Sequence, residues 1–534
     1  MTDFDLLVRR ALLMDGSGAS AQSGDLGVRG GRIAAIGKIP DDATAKRSFD
    51  ANGQILCPGF IDVHTHSDVS LLLDGAGESK VFQGVTTEVV GNCSFSAFPL
   101  NLGERRDLHA DHLARIGDDP VALEWTDLDG YAAALEHRGI AVNVAPQVGH
   151  GTVRVAALGV DDRPPNAEEL AHMQRLVAEA MEQGAFGMST GLTHVPSAYG
   201  DTDEVVALAE VTARFGGHYA THARAGYGWH FRAVDEAVEI GRRSGARVQF
   251  SHVAINDPAR WGQHAQVIER FERGRQAGVD IVYDVYPYAA SSSSLTQYLP
   301  PWVQAGGTQA MAERLCDAAT RERARSELAA GWFGGIPWLW DRVIVSRSGD
   351  PTDTTSAGQS LTALAEEAAI PPEELVLRLC ESRGNATQVV LFYRTEEDMQ
   401  AFLRHPLSVV GSDGSAIPFA RADEQPHPRN YGASTRVLGR YVRELGVLDL
   451  ATAVHKMTGR AAERMGIRDR GLLREGLAAD VVLFDPASVA DRATFDNPCQ
   501  PPAGVSCVIV NGEVVVENGR QTAARPGKVL RHTV

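Results

Sequence analysis

Lysine is nearly missing from this chain. Five occur in 534 residues, at positions 38, 46, 80, 456 and 528, against 46 arginines, and none lies between Lys80 and Lys456. Cysteine is sparse too: six residues with no C-x-x-C pair, which leaves no zinc ribbon, no thioredoxin motif and no disulfide scaffold. No apolar run reaches 18 residues, so no transmembrane helix is expected, and MTDFDLLVRRALLMDGSG lacks the layout of a signal peptide. Positive charge is in deficit. A formal net charge of −17 argues against a nucleic-acid backbone as partner and gives no basic patch for a membrane surface. What is present suits a packed core: 44% of residues are hydrophobic and 22% charged, without a disorder signature. The expectation is a cytoplasmic globular protein with a small-molecule partner, and oligomers are compatible with it.

The two ends read alike. DLLVRRALLMD and DLGVRGGRIAAIG at the start, and ADVVLFDP and VSCVIVNGEVVVENG at the close, are short β-like runs punctuated by Gly and Asp. Neither end is long enough for a good core alone, so residues 1–57 and 465–534 are expected to combine into one small β-sandwich domain. Between them, apolar runs alternate with helical stretches such as AEELAHMQRLVAEAMEQG, the pattern of a parallel sheet covered by helices. Strands are expected at 55–66, 87–93, 142–149, 185–191, 218–223, 247–253, 280–286 and 408–413. Eight strands close a barrel, so the fold class is α/β, with a (β/α)8 TIM-like barrel over 58–464. The Trp-containing stretch at about 295–345 interrupts the repeat and reads as a lid-like insertion.

Catalytic groups in such barrels project from the C-terminal strand ends. Those ends carry His64 and His66, then Cys93, His222, His252 and Asp413. Imidazole, thiolate and carboxylate are zinc ligands, and the i, i+2 spacing of His64 and His66 puts both rings on one face of a strand. A single buried histidine is more often a hydrogen-bonded core residue, and a lone Cys93 would read as a small buried hydrophobe. Four histidines gathered at one end with a cysteine and an aspartate are harder to dismiss. His150 and His218 fall nearby and read as supporting or structural residues.

The phrase CPGFIDVHTHSD, with D-x-H-x-H after a Pro-Gly turn, resembles the opening strand of the amidohydrolase superfamily. His222, His252 and Asp413 match its later ligands, and GLLREGLAADVVLFDP resembles its C-terminal sandwich. Within it, VVGNCSFS, FGMSTGL, DVYPYAAS, VGSDGS and HPRNYG are similar to the D-aminoacylase (N-acyl-D-amino-acid deacylase) group. Many dinuclear relatives bridge their metals with a carboxylated lysine on the fourth strand. Here that strand reads AFGMSTGL, and Cys93 is the sensible replacement because a thiolate can bridge two zinc ions. The resemblance implies a tight Zn2+ on Cys93, His222 and His252, and a second, weaker site on His64 and His66.

The same resemblance implies hydrolysis of N-acyl-D-amino acids. Asp413 would be the catalytic group that takes a proton from water and returns it to the departing amine. No G-x-S-x-G signature of serine hydrolases is expected beside the ligands. Arg429 is the candidate for gripping the substrate α-carboxylate, helped by Tyr288 and Ser294. Many D-aminoacylases carry a lysine just after the sixth-strand histidine, where this chain reads SHVAINDPARWG. Without that cation, neutral or hydrophobic side chains are expected on the substrate. The rival readings are a cyclic-amide hydrolase of the dihydroorotase or hydantoinase kind, and a barrel that serves as a non-catalytic scaffold.

Overall fold

Short, wholly buried strands with helices between them can satisfy their backbone groups only by pairing with one another, and here they do so in parallel. The computed structural model describes residues 3–117, 119–224, 229–333, 335–421 and 424–533. Its central strands are Phe60–Asp62, Val85–Val90, Asn143–Pro146 continuing as Val148–Gly149, Gly187–Gly191, His218–His222, Arg247–Phe250, Ile281–Val285 and Ser408–Val410. Each pairs with the next in parallel, the eighth directly with the seventh. The eighth returns to the first through Asp413 N–H to His64 O (2.8 Å) and His66 N–H to Gly414 O (3.0 Å). The barrel is therefore closed at the end that bears the expected ligands.

The stretch 55–66 is not one strand as expected. Ile55–Pro58 runs antiparallel to Val481–Phe484 in the terminal sheet, and Phe60–Asp62 starts the barrel. Pro58 has no N–H to continue a ladder, and the next N–H, of Gly59, is taken by Asp480 O at 2.8 Å. A Cβ at Gly59 would stand 2.2 Å from the Thr86 side chain, so only glycine allows the crossing.

Nine strands drawn from both ends of the chain make the terminal sheet. Its strand Phe4–Leu13 is bulged between Val8 and Ala11. The first half pairs with Ala45–Asp50 and the second with Ile55–Pro58, so one strand joins two stretches of the sheet. Leu6, Val8, Leu26, Val28, Val481 and Ile509 belong to one buried apolar cluster on it.

Between the seventh and eighth barrel strands, Ser291–Ser294, Val343–Arg347 and Gln388–Leu391 form a separate antiparallel sheet. Helices Thr308–Cys316, Ala318–Ala329 and Pro372–Arg383 accompany it around a second core of Leu295, Val303, Leu315, Trp332, Val345 and Val389. Among the described residues, no helix is long and apolar enough to cross a membrane.

Candidate metal centre and substrate cavity

Three of the expected ligands sit on backbone that L-residues rarely adopt. Cys93 has φ +52°, His252 φ +37° and Asp413 φ +55°. Such conformations cost roughly 1–3 kcal/mol each and persist only where the surroundings over-determine them. Here they are pinned: His252 N–H donates to Asp284 Oδ1 at 2.8 Å, and Asp413 N–H to His64 O at 2.8 Å. Ser94, at φ +75°, donates its N–H to Ser189 Oγ at 3.1 Å. Gly411 lets the eighth strand approach, since a Cβ there would lie 2.7 Å from His64 Cβ.

The donor atoms converge. His64 Nε2 is 3.2 Å from Cys93 Sγ, and His252 Nε2 is 3.4 Å from the same sulfur. His66 Nε2 is 3.1 Å from Asp413 Oδ1, and His64 Nε2 is 3.4 Å from it. His64, His66, Cys93 and Asp413 offer ligand atoms that all lie within 4.8 Å of one another, as do Cys93, His194 and His222. Zinc bonds of 2.0–2.3 Å in a tetrahedral array separate donor atoms by roughly 3.3–3.8 Å, so the spacing and the chemistry of this set fit that ion. Burial opposes a charged thiol. The imidazoles of His64, His252, His194 and His222 outweigh it and hold Cys93 well below the ordinary thiol range. Burial likewise works against the Asp413 carboxylate, and Arg429, with His252, keeps it well below the usual range.

Around the donors stands a supporting layer. Asp284 Oδ2 lies 3.3 Å from His64 Nδ1 and accepts from Gln249 Nε2 at 2.8 Å, the carboxylate–histidine arrangement that orients a metal-binding ring. Thr193 Oγ1 is 2.7 Å from His222 Nε2. Beneath the centre, Lys80 Nζ donates to Asp62 Oδ2 (2.9 Å), Ser412 Oγ (2.7 Å) and Gly414 O (3.3 Å).

His64, His66, Cys93, His222, His252 and Asp413 are thus all brought to one place. Arg429 joins them: its Nη1 donates to Asp413 Oδ2 at 2.6 Å and its Nη2 to Ser292 O at 3.2 Å. Tyr288 does not border the cavity. Its hydroxyl donates to Pro428 O at 3.4 Å, and Arg436 stacks on its ring. Ser294 borders the cavity but is only 3% exposed, with its hydroxyl engaged by Thr296 Oγ1 and Asn385 O. His150 and His218 are structural, hydrogen-bonded to Ser197 with Glu204 and to Gln147 respectively.

Sequence reading passed over His194, Asp284, Lys80 and Arg394. For His194 a signal existed, three residues beyond the fourth strand; Asp284 opens the phrase DVYPYAAS. Contrary to expectation, a G-x-S-x-G string lies close to the ligands, as Gly187–Gly191. It carries no nucleophile, because it is an extended barrel strand and Ser189 Oγ is buried, bonded to Gly91 O and Ser94 N.

The centre opens into a cavity of about 210 Å³ bordered by His66, Cys93, His222, His252 and Asp413 on the barrel side, and by Ser291–Ser294, Tyr298, Trp332 and Arg394 on the insertion side.

A model of the amidohydrolase family matches residues 47–516. The chain is 36% identical over 529 residues to N-acyl-D-glutamate deacylase of Alcaligenes xylosoxydans xylosoxydans, covering 99% of this chain and 96% of that one. It is 36% identical over 533 residues to D-aminoacylase of the same organism, covering 99% and 98%. Among solved structures, N-acyl-D-glutamate deacylase from Bordetella bronchiseptica, complexed with zinc and a phosphonate inhibitor, superposes with a TM-score of 0.84 at 35% identity, covering 99% of each chain.

Proposed function

Because the chain belongs to the amidohydrolase family, we propose that it is a zinc-dependent hydrolase that removes the acyl group from N-acyl-D-amino acids, releasing a D-amino acid and a carboxylate. The observation that carries this reading is Cys93 Sγ standing 3.2 and 3.4 Å from His64 and His252, with Asp413 and Arg429 on the same rim. The D configuration comes from the activities of the relatives.

When bound, zinc polarises the scissile carbonyl and acidifies water. Cys93, His222 and His252 would hold the tight ion, and His64 with His66 would supply the second, weaker site. Asp413 presents Oδ1 to the histidines, while Oδ2 is held by Arg429 at 2.6 Å. So oriented, it takes the proton of the attacking water and passes it to the departing amine, which an amide requires. Arg429 grips the substrate α-carboxylate with its remaining N–H groups. Ser294 borders that subsite, and Tyr288 supports the Pro428–Arg429 turn from behind.

Two features weigh against a cyclic-amide hydrolase and a scaffold. No lysine borders the cavity among the described residues, and Lys80 is committed to Asp62. The donor set is intact, which a barrel without catalysis has no reason to keep. The division into a sandwich of 1–57 with 465–534 and a barrel of 58–464 suits the way both ends share one sheet. A reducing, cytoplasmic setting suits a free thiol at the centre, and the six cysteines are all free.

The test is hydrolysis of paired N-acetyl-D- and N-acetyl-L-amino acids by zinc-loaded protein, with Asp413→Asn and chelated protein as controls. Turnover confined to the D series and absent from both controls is expected. Silence on both series, with turnover of hydantoins or dihydropyrimidines, would refute the reading.

A further inference from the structure

The zinc-dependent reading gives the tight ion three ligands, and a fourth imidazole stands against them. His194 lies three residues beyond the barrel strand Gly187–Gly191, in a turn closed by its own N–H on Gly191 O at 2.7 Å. Gly191 admits the ring, since a Cβ there would lie 2.6 Å from His194 Cδ2 and 2.3 Å from Cys93 O. The imidazole so placed is buried, with the Phe95 ring 5.0 Å away between centroids. Its Nε2 stands 3.3 Å from His222 Nδ1, and Cys93 is also among its hydrogen-bond partners. Neighbouring Thr193 engages His222 Nε2 at 2.7 Å, which leaves Nδ1 as the nitrogen of that ring free to face the centre.

A buried histidine kept for structure finds partners outside a metal site. His150 has Ser197 and Glu204, and His218 has Gln147. Among the described residues, the His194 ring bonds only to two expected zinc ligands. Lone pairs of two imidazoles and a thiolate directed at one point repel unless a proton or a cation lies between them. The separation fits the ion: two Zn–N bonds of roughly 2.0–2.1 Å at the tetrahedral angle hold their nitrogens about 3.3–3.4 Å apart. Donor atoms of Cys93, His194 and His222 all lie within 4.8 Å of one another, and His252 Nε2 reaches the same sulfur at 3.4 Å. We infer that His194 is a further ligand of the tight ion, through Nε2, so that Cys93 holds it with three imidazoles, His194, His222 and His252, and not two. This assignment rests on the zinc-dependent reading of the site.

X-ray absorption at the zinc edge of wild type carrying one equivalent of Zn2+ is expected to count one sulfur and three imidazoles. In His194→Phe the count should fall to two imidazoles, with a light-atom ligand in place of the third. Chelator competition should show His194→Phe and His194→Gln both weakened more than about 100-fold, past the roughly 10- to 100-fold cost of losing a supporting partner. Thr193→Val, which removes such a partner from His222, should stay inside that range. Glutamine is the discriminating change, because its amide can still hydrogen-bond to His222 and Cys93 but is a poor zinc ligand. Two imidazoles in wild type, or a His194→Gln variant that binds zinc no more weakly than Thr193→Val, would overturn the assignment and leave His194 a hydrogen-bonding neighbour. The wild-type count needs no variant to fold, and none of these measurements needs turnover. Three imidazoles in a protein silent on every N-acyl-D-amino acid would support the ligand while sinking the deacylase reading. A protein that takes up no zinc would sink both.

Discussion

Lys80 is wholly buried, 0% exposed, under the end of the barrel that carries the donors. Replacing it by methionine keeps the stem and deletes the charge. At 2.9 Å from Asp62 and 3.5 Å from Glu88, an effective dielectric near 20 makes the attractions about 6 and 5 kcal/mol. Desolvation of the ammonium offsets most of this, and breaking a buried pair costs a net of about 3–5 kcal/mol because the remaining carboxylate is stranded. Burial already pushes the Glu88 carboxyl up to about 7, so Glu88 can take a proton and trim the loss. Asp62 stays tied to the eighth strand by accepting Ser412 N–H at 2.8 Å. Urea unfolding of Lys80→Met, Asp62→Asn and the double variant forms a mutant cycle. Lys80→Met is expected to lose about 3–5 kcal/mol, with a coupling to Asp62→Asn of about 2 kcal/mol or more. Single effects that simply add, or a Lys80→Met variant within about 0.5 kcal/mol of wild type, the range of ordinary surface changes, would refute this account of the barrel floor.

Two further predictions concern the layers around the centre. Asp284→Asn removes the carboxylate that faces His64 Nδ1 and holds the N–H of strained His252. Zinc affinity by competition with a chelator should fall about 10- to 100-fold with circular dichroism unchanged, and an unaltered affinity would sink the orienting role. Glu204 is buried, which raises its carboxyl, but a hydrogen bond from His150 and a pair of contacts from Arg154 bring it down to about 2. A depressed carboxylate stabilises above its unfolded value of 4.5 and loses that contribution as pH falls towards 2. Glu204→Gln should therefore cost about 3 kcal/mol near pH 7, and the gap to wild type should narrow below about pH 4.5 in thermal melts. A gap independent of pH would show that packing, not ionisation, holds that corner.

Much of the centre was legible because local rules place it. Strands of a parallel barrel recur with helices between them, and the residues just past their ends share one rim, so His64, His66, Cys93, His222, His252 and Asp413 could be put together from spacing and strand order. The break at Pro58-Gly59 was hidden inside an apolar run, because periodicity does not say which sheet a strand joins. Tyr288 and Ser294 show the same limit at finer scale. Both belong to a turn-rich stretch after the seventh strand, where a shift of one or two residues decides whether a side chain faces the cavity or its wall.

From the sequence alone came the class of fold and the strand-end donor set, through residue type and periodicity, and the missing lysine bridge, through the resemblance to the amidohydrolases. Only the folded chain decided what surrounds them. Lys80 meets Ser412, and Arg394 meets Asn256, across 332 and 138 residues, and no local pattern encodes such meetings. They arise from closing the barrel and docking the insertion against it. In the low-dielectric interior so formed, a charge is tolerated only where a partner has been carried to it, by the fold or by the substrate.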